Sequence, residues 1–199
     1  MPEQRLSDRL ERWFRSPEPK TVGSLIELFG EKSFAVLFLL LLALPALPLP
    51  TGGITHLFEL IAMVLALELI VGRRTVWLPV GWRRRELGPA AQRRFSEVLL
   101  RRIRWLERHS RPRLVFLLTH RLSGVVFGAL VLALSLTAFL APPFTGLDTL
   151  PSLGVVVLSV GVLLEDALLA LAGLVIGLVG VAVVIALGRV ALHEAGRIF

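Results

Sequence analysis

The chain has 199 residues, 55% of them hydrophobic, with a mean hydropathy of +0.75 and a formal net charge of +7. Its apolar runs are longer than a soluble core of this size needs, so the composition predicts a membrane protein. The lack of cysteine excludes disulfides, thiol nucleophiles and cysteine metal sites.

Basic charge is concentrated in the middle of the chain. Residues 73–121 hold fourteen Arg against three Glu, whereas residues 1–33 hold six basic and six acidic side chains. The positive-inside rule places the 73–121 segment, together with the N-terminus, in the cytoplasm. Because these arginines flank hydrophobic spans, anionic lipid headgroups explain them better than nucleic acid does, and no nucleic-acid partner is expected.

Residues 1–33 are predicted to form an amphipathic interfacial region. Within residues 5–15, four apolar side chains share one helical face: Leu6, Leu10, Trp13 and Phe14. Such a helix lies on the membrane surface, and residues 21–33 form a second short amphipathic turn. Because charges occur throughout residues 1–20, there is no apolar h-region and a cleaved signal peptide is not expected.

Residues 34–80 are predicted to form the first of two broken helical hairpins. The apolar run from Phe34 ends at about Leu44, before a break made by Pro45, Pro48 and Pro50. At about 1.5 Å per residue this run covers roughly half of a ~30 Å hydrocarbon core. Residues 54–72 then form a longer apolar helix. It ends in an ordinary interface anchor made of Arg73, Arg74 and Trp77.

Residues 81–120 form an arginine-rich amphipathic segment. Its apolar side chains recur at helical spacing: Phe95, Val98, Leu99, Ile103 and Leu106. This pattern predicts an interfacial helix on the cytoplasmic side, held by apolar burial and by anionic lipid.

Residues 121–172 are predicted to form the second broken hairpin. Its break is made by Pro142 and Pro143. The apolar residues 153–190 that follow would measure roughly 57 Å as one helix, nearly twice the membrane core. They must therefore form two helices. Gly173 is the expected joint, which makes residues 173–199 a C-terminal transmembrane helix.

The two hairpins look like copies of one another. Residues 30–52 and 124–146 each begin at Gly and reach a Pro followed by Thr-Gly. Four pairs lie 94 residues apart: Gly30 and Gly124, Pro48 and Pro142, Thr51 and Thr145, Gly52 and Gly146. Three extra residues in the second copy would then align Glu68 with Glu165. This pattern indicates an internal duplication.

The proline breaks admit two interpretations. Interrupted apolar segments at matching positions in two halves are typical of broken or re-entrant helices around a midplane site, where the freed backbone groups line a wet cavity or pack on protein. Alternatively, the prolines make tight turns at the outer surface between spanning helices. The predicted fold is an all-α polytopic membrane protein with two related broken hairpins. The relative orientation of the copies stays open.

The order of these features resembles the exopolysaccharide-synthesis ExoD family over about residues 20–190. The specific parts are the "LPALPLPTGG" break, the "GRRTVWLP" segment and the acidic pair before the last helix. Family members often have Asp-Gly at that pair, where this chain has Asp166-Ala167. The resemblance implies a bacterial inner-membrane protein of exopolysaccharide production, and the chain is expected to be multi-pass. Membrane lipids are the expected partners, and polysaccharide synthesis proteins are candidate partners. The resemblance supplies no catalytic residues.

Four carboxylates are candidates for ion or proton coupling: Glu59, Glu68, Glu165 and Asp166. A carboxylate at membrane depth costs a few kcal/mol unless it is paired, protonated or hydrated, so each is a functional hypothesis. Glu59 and His56 lie within two turns of the first break, beside any polar pocket there. Glu68 could equally be a solvated partner of Arg73 or Arg74. Structural pairing is also the alternative for Glu165 and Asp166.

A second set of residues is predicted to bind an anionic headgroup. Thr-Gly precedes a helix in both copies: Thr51, Gly52 and Gly53, then Thr145 and Gly146. Exposed amides at a helix N-terminus bind phosphate, and Arg73 and Arg74 would steer it. Simple N-capping is the alternative role for these threonines and glycines.

An enzyme is not expected, because the chain has no HExxH, nucleophile elbow or P-loop, and its four histidines lack metal-ligand spacing. No metal or cofactor is predicted. The glycine repeat at Gly173, Gly177 and Gly180 fits close packing within a monomer or in a homodimer. Two functions compete: a carrier or flippase for an anionic lipid or lipid-linked saccharide, and a non-transporting scaffold or regulator of a synthesis complex.

Overall fold

The structure is a computed structural model that describes residues 6–17, 19–48, 53–73, 75–77, 80–84, 121–142 and 145–198. Regular secondary structure within these ranges is entirely helical, which confirms the all-α prediction for them. The greater part of the predicted 81–120 segment, like Thr51, Gly52 and Arg74, lies outside the described residues.

Two short helices form the N-terminal region, as the sequence predicts. Helix α1 spans Leu6–Arg15 and α2 spans Val22–Phe29. A capping box starts α2, because the Ser24 amide donates to the Thr21 hydroxyl at 3.1 Å while the Thr21 amide donates to the Ser24 hydroxyl at 3.1 Å. A 3₁₀ turn, Gly30–Lys32, leads directly into the next helix.

The first apolar segment is a short helix before the proline break. Helix α3 spans Ser33–Leu42, and α4 spans Ile54–Ile70 after the break. A four-residue helix, α5 (Val80–Arg83), contacts α2, where the Arg83 guanidinium lies 2.8 Å from the Glu27 carboxylate. Phe34, Phe38 and Leu42 recur every four residues on one face of α3 and are almost completely buried.

The second half contains three helices. Helix α6 spans Arg121–Leu140, α7 spans Thr149–Leu163 and α8 spans Ala167–Ile198. The joint expected at Gly173 is wrong, because α8 runs through that residue and the chain turns at Leu164–Asp166 instead. Gly173 permits close packing: a Cβ atom there would collide with the backbone nitrogen of Leu158.

Helices α7 and α8 pack along a seam of small residues. A Cβ atom at Gly154 would collide with Gly177, and one at Gly161 would collide with Ala170. Gly180 approaches Pro151 in the same way. The seam lets two backbones approach closely over several turns, which is how apolar helices associate where lipid surrounds them. The glycine repeat therefore serves packing within one chain.

The contacts between the two halves occur in matched pairs. The first helix of the first half, α3, packs on the second helix of the second half, α7, and α6 packs correspondingly on α4. The Phe38 ring meets the Phe127 ring edge to face, with centroids 5.6 Å apart, and joins α3 to α6. This reciprocal pattern is the one expected of two related units.

Residues with a left-handed backbone conformation show which positions in the two halves correspond. Gly53 (φ 87°) precedes α4 and Gly146 (φ 68°) precedes α7. Gly72 (φ 93°) follows α4 and Glu165 (φ 56°) follows α7. Both pairs lie 93 residues apart, one fewer than the spacing read from the sequence. In this register the residue equivalent to Glu165 is Gly72 rather than Glu68.

Two helices are long and apolar enough to cross a membrane by length and composition: Ser123–Leu140 and Ala167–Val190. Large apolar side chains also cover the outside of α4, where Leu57 is 57% exposed and Val64 is 53% exposed. Solvent-facing apolar surface of this extent is unusual for a soluble monomer. It is the surface that a lipid environment would cover.

Candidate functional site

Glu59 lies at the centre of the candidate site. It sits little more than one turn into α4, after the first proline break, and its side chain is 0% exposed. Neither carboxylate oxygen has a hydrogen-bond partner among the described residues. Burying an ionised carboxylate without partners is costly, so the group must hold a proton, pair with a cation or meet water.

His56 links Glu59 to the outside of the bundle. Its Nδ1 atom lies 3.7 Å from Oε2 of Glu59, one turn away on the same helix, and its side chain is 24% exposed. The imidazole packs on the Phe139 ring of α6, with centroids 5.4 Å apart, and lies 3.5 Å from the Thr55 hydroxyl. An ionisable ring therefore stands between the sealed carboxylate and the exterior.

The second break brings another carboxylate to the same region. Asp148 occupies the N-cap position of α7 without a side-chain capping bond. The contact between His56 and Phe139 brings the end of α6 to the start of α4, and Asp148 follows the end of α6 by eight residues. The second break therefore places Asp148 at the same end of the bundle as Glu59.

Several buried hydroxyls also lack partners within the described ranges. They belong to Ser33, Ser135, Ser152 and Ser159, each at most 1% exposed. Buried hydroxyls are normally hydrogen-bonded, so each such group indicates a ligand, a water or a conformational purpose. Ser135 lies on α6 and Ser152 lies one turn into α7.

Three of the residues predicted to bind phosphate are described, and Gly53, Thr145 and Gly146 lie just before their helices. Gly53 is the N-cap of α4 in a left-handed conformation. The Thr145 hydroxyl donates to the Pro142 carbonyl at 2.7 Å and accepts from the Leu147 amide at 3.4 Å, so the turn already uses it. Among the described break prolines, Pro45 is buried, whereas Pro48 and Pro142 are exposed. Pro50 and Pro143 lie outside the described residues.

Glu68 and Arg73 organise the end of α4. The Glu68 carboxylate accepts a hydrogen bond from the Trp77 amide at 3.1 Å, and the Arg73 guanidinium lies 5.8 Å from the centroid of the Trp77 ring. Arg73 itself is exposed. This arrangement closes the turn after the helix and places both residues at the opposite end of α4 from Glu59.

The acidic pair at the α7–α8 joint has structural contacts. Glu165 forms an ion pair with Lys32 at 2.6 Å, and Lys32 also donates to the Leu163 carbonyl at 3.3 Å. Asp166 is the N-cap of α8, since its carboxylate accepts from the amides of Leu168 and Leu169 at 3.0 and 3.3 Å. These contacts match the structural alternative considered for the pair.

Sequence reasoning missed three members of the site: Ser135, Asp148 and Ser152. A serine inside an apolar helix carries no signal of its own, because a hydroxyl is tolerated at many packed positions. Asp148 lies in the loop "TGLDTLPS", where an acidic residue resembles an ordinary turn residue. Only the fold brings these residues to the level of Glu59.

The chemistry available to this cluster is the binding of a positive charge. It offers a sealed carboxylate, a second carboxylate, an imidazole at the rim and hydroxyl oxygens. Within the described ranges, no three His, Cys, Asp or Glu side chains lie close enough to hold a metal ion. The carboxylate and hydroxyl oxygens of the cluster are hard ligands, which suit a proton or a hard cation better than a soft transition metal.

Comparison with known proteins gives one family and one curated relative. The family model described as "Exopolysaccharide synthesis, ExoD" matches residues 6–186. A curated protein from Synechocystis sp., described as uncharacterized, is 26% identical over 184 residues, which cover 90% of this chain and 86% of the relative. No solved structure matches the chain.

Proposed function

The chain belongs to the ExoD family of exopolysaccharide synthesis, and we propose that it is a multi-pass inner-membrane carrier. Its cargo is an anionic lipid or a lipid-linked saccharide intermediate. The observation that carries the proposal is Glu59, a fully buried carboxylate without a hydrogen-bond partner in the described chain, beside two helix starts. An ionisable group at membrane depth is a functional hypothesis by default, and a carrier that couples a cation to an anionic cargo would use one.

Coupling follows from electrostatic repulsion at the helix starts. A lipid phosphate bound by the amides after Thr51, Gly52 and Gly53, or after Thr145 and Gly146, would approach Glu59 and Asp148. Two carboxylates oppose that anion, so cargo binds well only once a positive charge neutralises Glu59. Thermodynamic linkage is reciprocal: if the bound cation raises the affinity for the anion by some factor, the bound anion raises the affinity for the cation by the same factor. Cargo and cation would then move together.

Among the four carboxylates predicted for coupling, the proposal uses Glu59. The other three have partners in the protein: Glu68 accepts from Trp77, Glu165 pairs with Lys32, and Asp166 caps α8. Arg73 and Arg74 would draw the headgroup to the cytoplasmic surface, since basic side chains attract anionic lipid. The proposal includes no chemical transformation of the cargo.

The proposal is tested by lipid movement in proteoliposomes. The probe is fluorescent phosphatidic acid, with fluorescent phosphatidylcholine as the headgroup control, and the imposed variable is a pH or sodium gradient. We expect Glu59→Gln to slow gradient-dependent movement by about tenfold, equivalent to about 1.4 kcal/mol in the barrier. Glu27→Gln is the matched control, because that carboxylate lies on the surface helix α2. Equal rates in wild type and Glu59→Gln would contradict the carrier.

A scaffold or regulator of a polysaccharide synthesis complex is the second candidate. It is favoured by the contacts of Lys32, Glu165 and Asp166, which hold charged groups in packed structural roles. In that case the basic 81–120 segment would recruit synthases. Exopolysaccharide output that survives Glu59→Gln but falls after charge reversal of Arg101, Arg102 and Arg104 would favour the scaffold over the carrier.

A further inference from the structure

The register of α4 on α6 brings Glu59 opposite Ser135. A Cβ atom at Gly128 would lie 3.1 Å from the Ala66 carbonyl oxygen, so these two residues face each other across the antiparallel contact. Glu59 lies seven residues, or two turns, before Ala66 on α4, and Ser135 lies seven residues after Gly128 on α6. The antiparallel packing therefore brings Glu59 and Ser135 to the same level. The contact between His56 and Phe139 continues this register.

The register of the two halves makes Ser152 the equivalent of Glu59. Glu59 and Ser152 are separated by 93 positions, which is the spacing of the left-handed residues that bound α4 and α7. Both side chains are 0% exposed. The next buried positions also correspond, with Ala62 matching Val155 and Ala66 matching Ser159 in the same register. One half therefore supplies a carboxylate where the other supplies a hydroxyl.

Ser152 also lies at the end of the bundle where Glu59 lies. The Phe139 ring, close to the end of α6, contacts His56, close to the start of α4, and α7 begins nine residues after α6 ends. Glu59, Ser135 and Ser152 thus come from three helices, of which α6 packs on both α4 and α7. None of the three side chains has a hydrogen-bond partner in the described part of the chain.

We propose that Glu59, Ser135 and Ser152 form a binding site for one monovalent cation, a proton or a sodium ion, with the single carboxylate supplied by the first half of the repeat. Carboxylate and hydroxyl oxygens suit a hard monovalent ion, and one buried negative charge balances one positive charge. This deepens the proposed carrier function by naming its coupling ion class and its stoichiometry. The site can nevertheless be measured without any transport.

The other charges near Glu59 are few. On its own helix the neighbouring titratable group is His56, and before α7 it is Asp148. Residues 123–140 of α6, together with α3 and α7, carry no Asp, Glu, Lys, Arg or His. A change in stability with pH or sodium that disappears in Glu59→Gln therefore reports this cluster.

The test is thermal unfolding of the purified full-length protein in a neutral detergent. Sodium chloride is titrated against choline chloride at alkaline pH in one arm, and pH is lowered in choline buffer in the other. We expect Tm to rise by about 4 °C or more in one arm, and Glu59→Gln to lose that rise. Glu27→Gln should retain it. A rise with sodium identifies a sodium ion, and a rise only with acid identifies a proton.

The hydroxyls and the repeat relation are tested separately. Ser135→Ala and Ser152→Ala should each shift the midpoint of the titration severalfold, because each removes one oxygen of the site. Moving the carboxylate in the double variant Glu59→Ser with Ser152→Glu should restore the rise that Glu59→Ser alone loses. Glu59→Asp is the backup variant if the double variant does not fold, and it should keep the rise with a displaced midpoint.

Several outcomes would overturn the inference. Wild type that responds to neither sodium nor acid has no such site. A response retained by Glu59→Gln would show that Glu59 does not bind the cation. Unchanged midpoints in both serine variants would show the same for Ser135 and Ser152. The two proposals also separate: a cation response with no lipid movement rejects the carrier and keeps the site, whereas lipid movement with no cation response does the reverse.

Discussion

Glu59 combines complete burial with two carboxylate oxygens that accept no hydrogen bond from any described residue. Nothing in the apolar sequence of α4 requires an acid at this position, and alanine or leucine would pack there at lower cost. Proteins retain such costly groups where function uses them. Glu59 is therefore the strongest indication of function that a single residue of this chain provides.

Replacement of Glu59 by glutamine should stabilise the protein when no cation is bound. In sodium-free buffer at alkaline pH we expect Glu59→Gln to raise Tm by about 2–4 °C, since an uncompensated buried charge is removed while the shape is kept. The difference should shrink as the pH falls, because a protonated glutamate resembles glutamine. Thermal unfolding at several pH values measures this. A lower Tm for Glu59→Gln at alkaline pH would show that the carboxylate has a stabilising partner.

The Asp166 cap gives a contrasting residue-scale prediction. Asp166→Ala should lower the free energy of unfolding by about 1 kcal/mol, because the amides of Leu168 and Leu169 lose their acceptor. Cation-dependent lipid movement, normalised to folded protein, should remain. Denaturant unfolding and the proteoliposome assay measure the two effects. A tenfold loss of movement in a folded Asp166→Ala protein would return this residue to the coupling machinery.

At the scale of elements, the sequence predicts most helices but not their joints. Apolar runs and prolines correctly indicate α3, α4 and α6, because chain length against membrane thickness and the loss of helical hydrogen bonds at proline are local properties. The joint between α7 and α8 is missed because Gly173 looks like a hinge in the sequence. Its role depends on Leu158, a partner on another helix that the sequence does not reveal.

The α7–α8 seam predicts a sharp difference between two glycine substitutions. Gly154→Ala should destabilise the protein by about 1–3 kcal/mol, because the new methyl group would collide with the backbone at Gly177. In Gly188→Ala, on the partner helix α8, the new methyl group meets no atom within 4 Å, so this variant should be neutral or more stable by about 0.5–1 kcal/mol. Unfolding in denaturant compares them. Equal effects of the two substitutions would contradict the seam.

At the scale of the whole molecule, duplication is visible in the sequence, but its register is not. Pro and Thr-Gly pairs suggest a spacing of 94, whereas the left-handed residues that bound α4 and α7 lie 93 apart. The one-residue difference decides which side chains are equivalent, because it aligns Glu59 with Ser152. The candidate site is predicted in part: the sequence singles out Glu59 and His56, whereas Ser135, Asp148 and Ser152 come to the same end of the bundle only through the pairing of the helices.

The whole account places α4 in lipid with a polar site at its start. The measurement that tests it most directly is the labelling of single cysteines in this naturally cysteine-free chain with a charged, membrane-impermeant thiol reagent. His56→Cys, at the rim of the site, should react, whereas Val64→Cys should not, although Val64 is 53% exposed and His56 only 24%. The reason is that the proposed carrier exposes Val64 to lipid and keeps His56 at the rim of a hydrated polar site. Rapid labelling of Val64→Cys together with protection of His56→Cys would contradict both the membrane placement and the polar site.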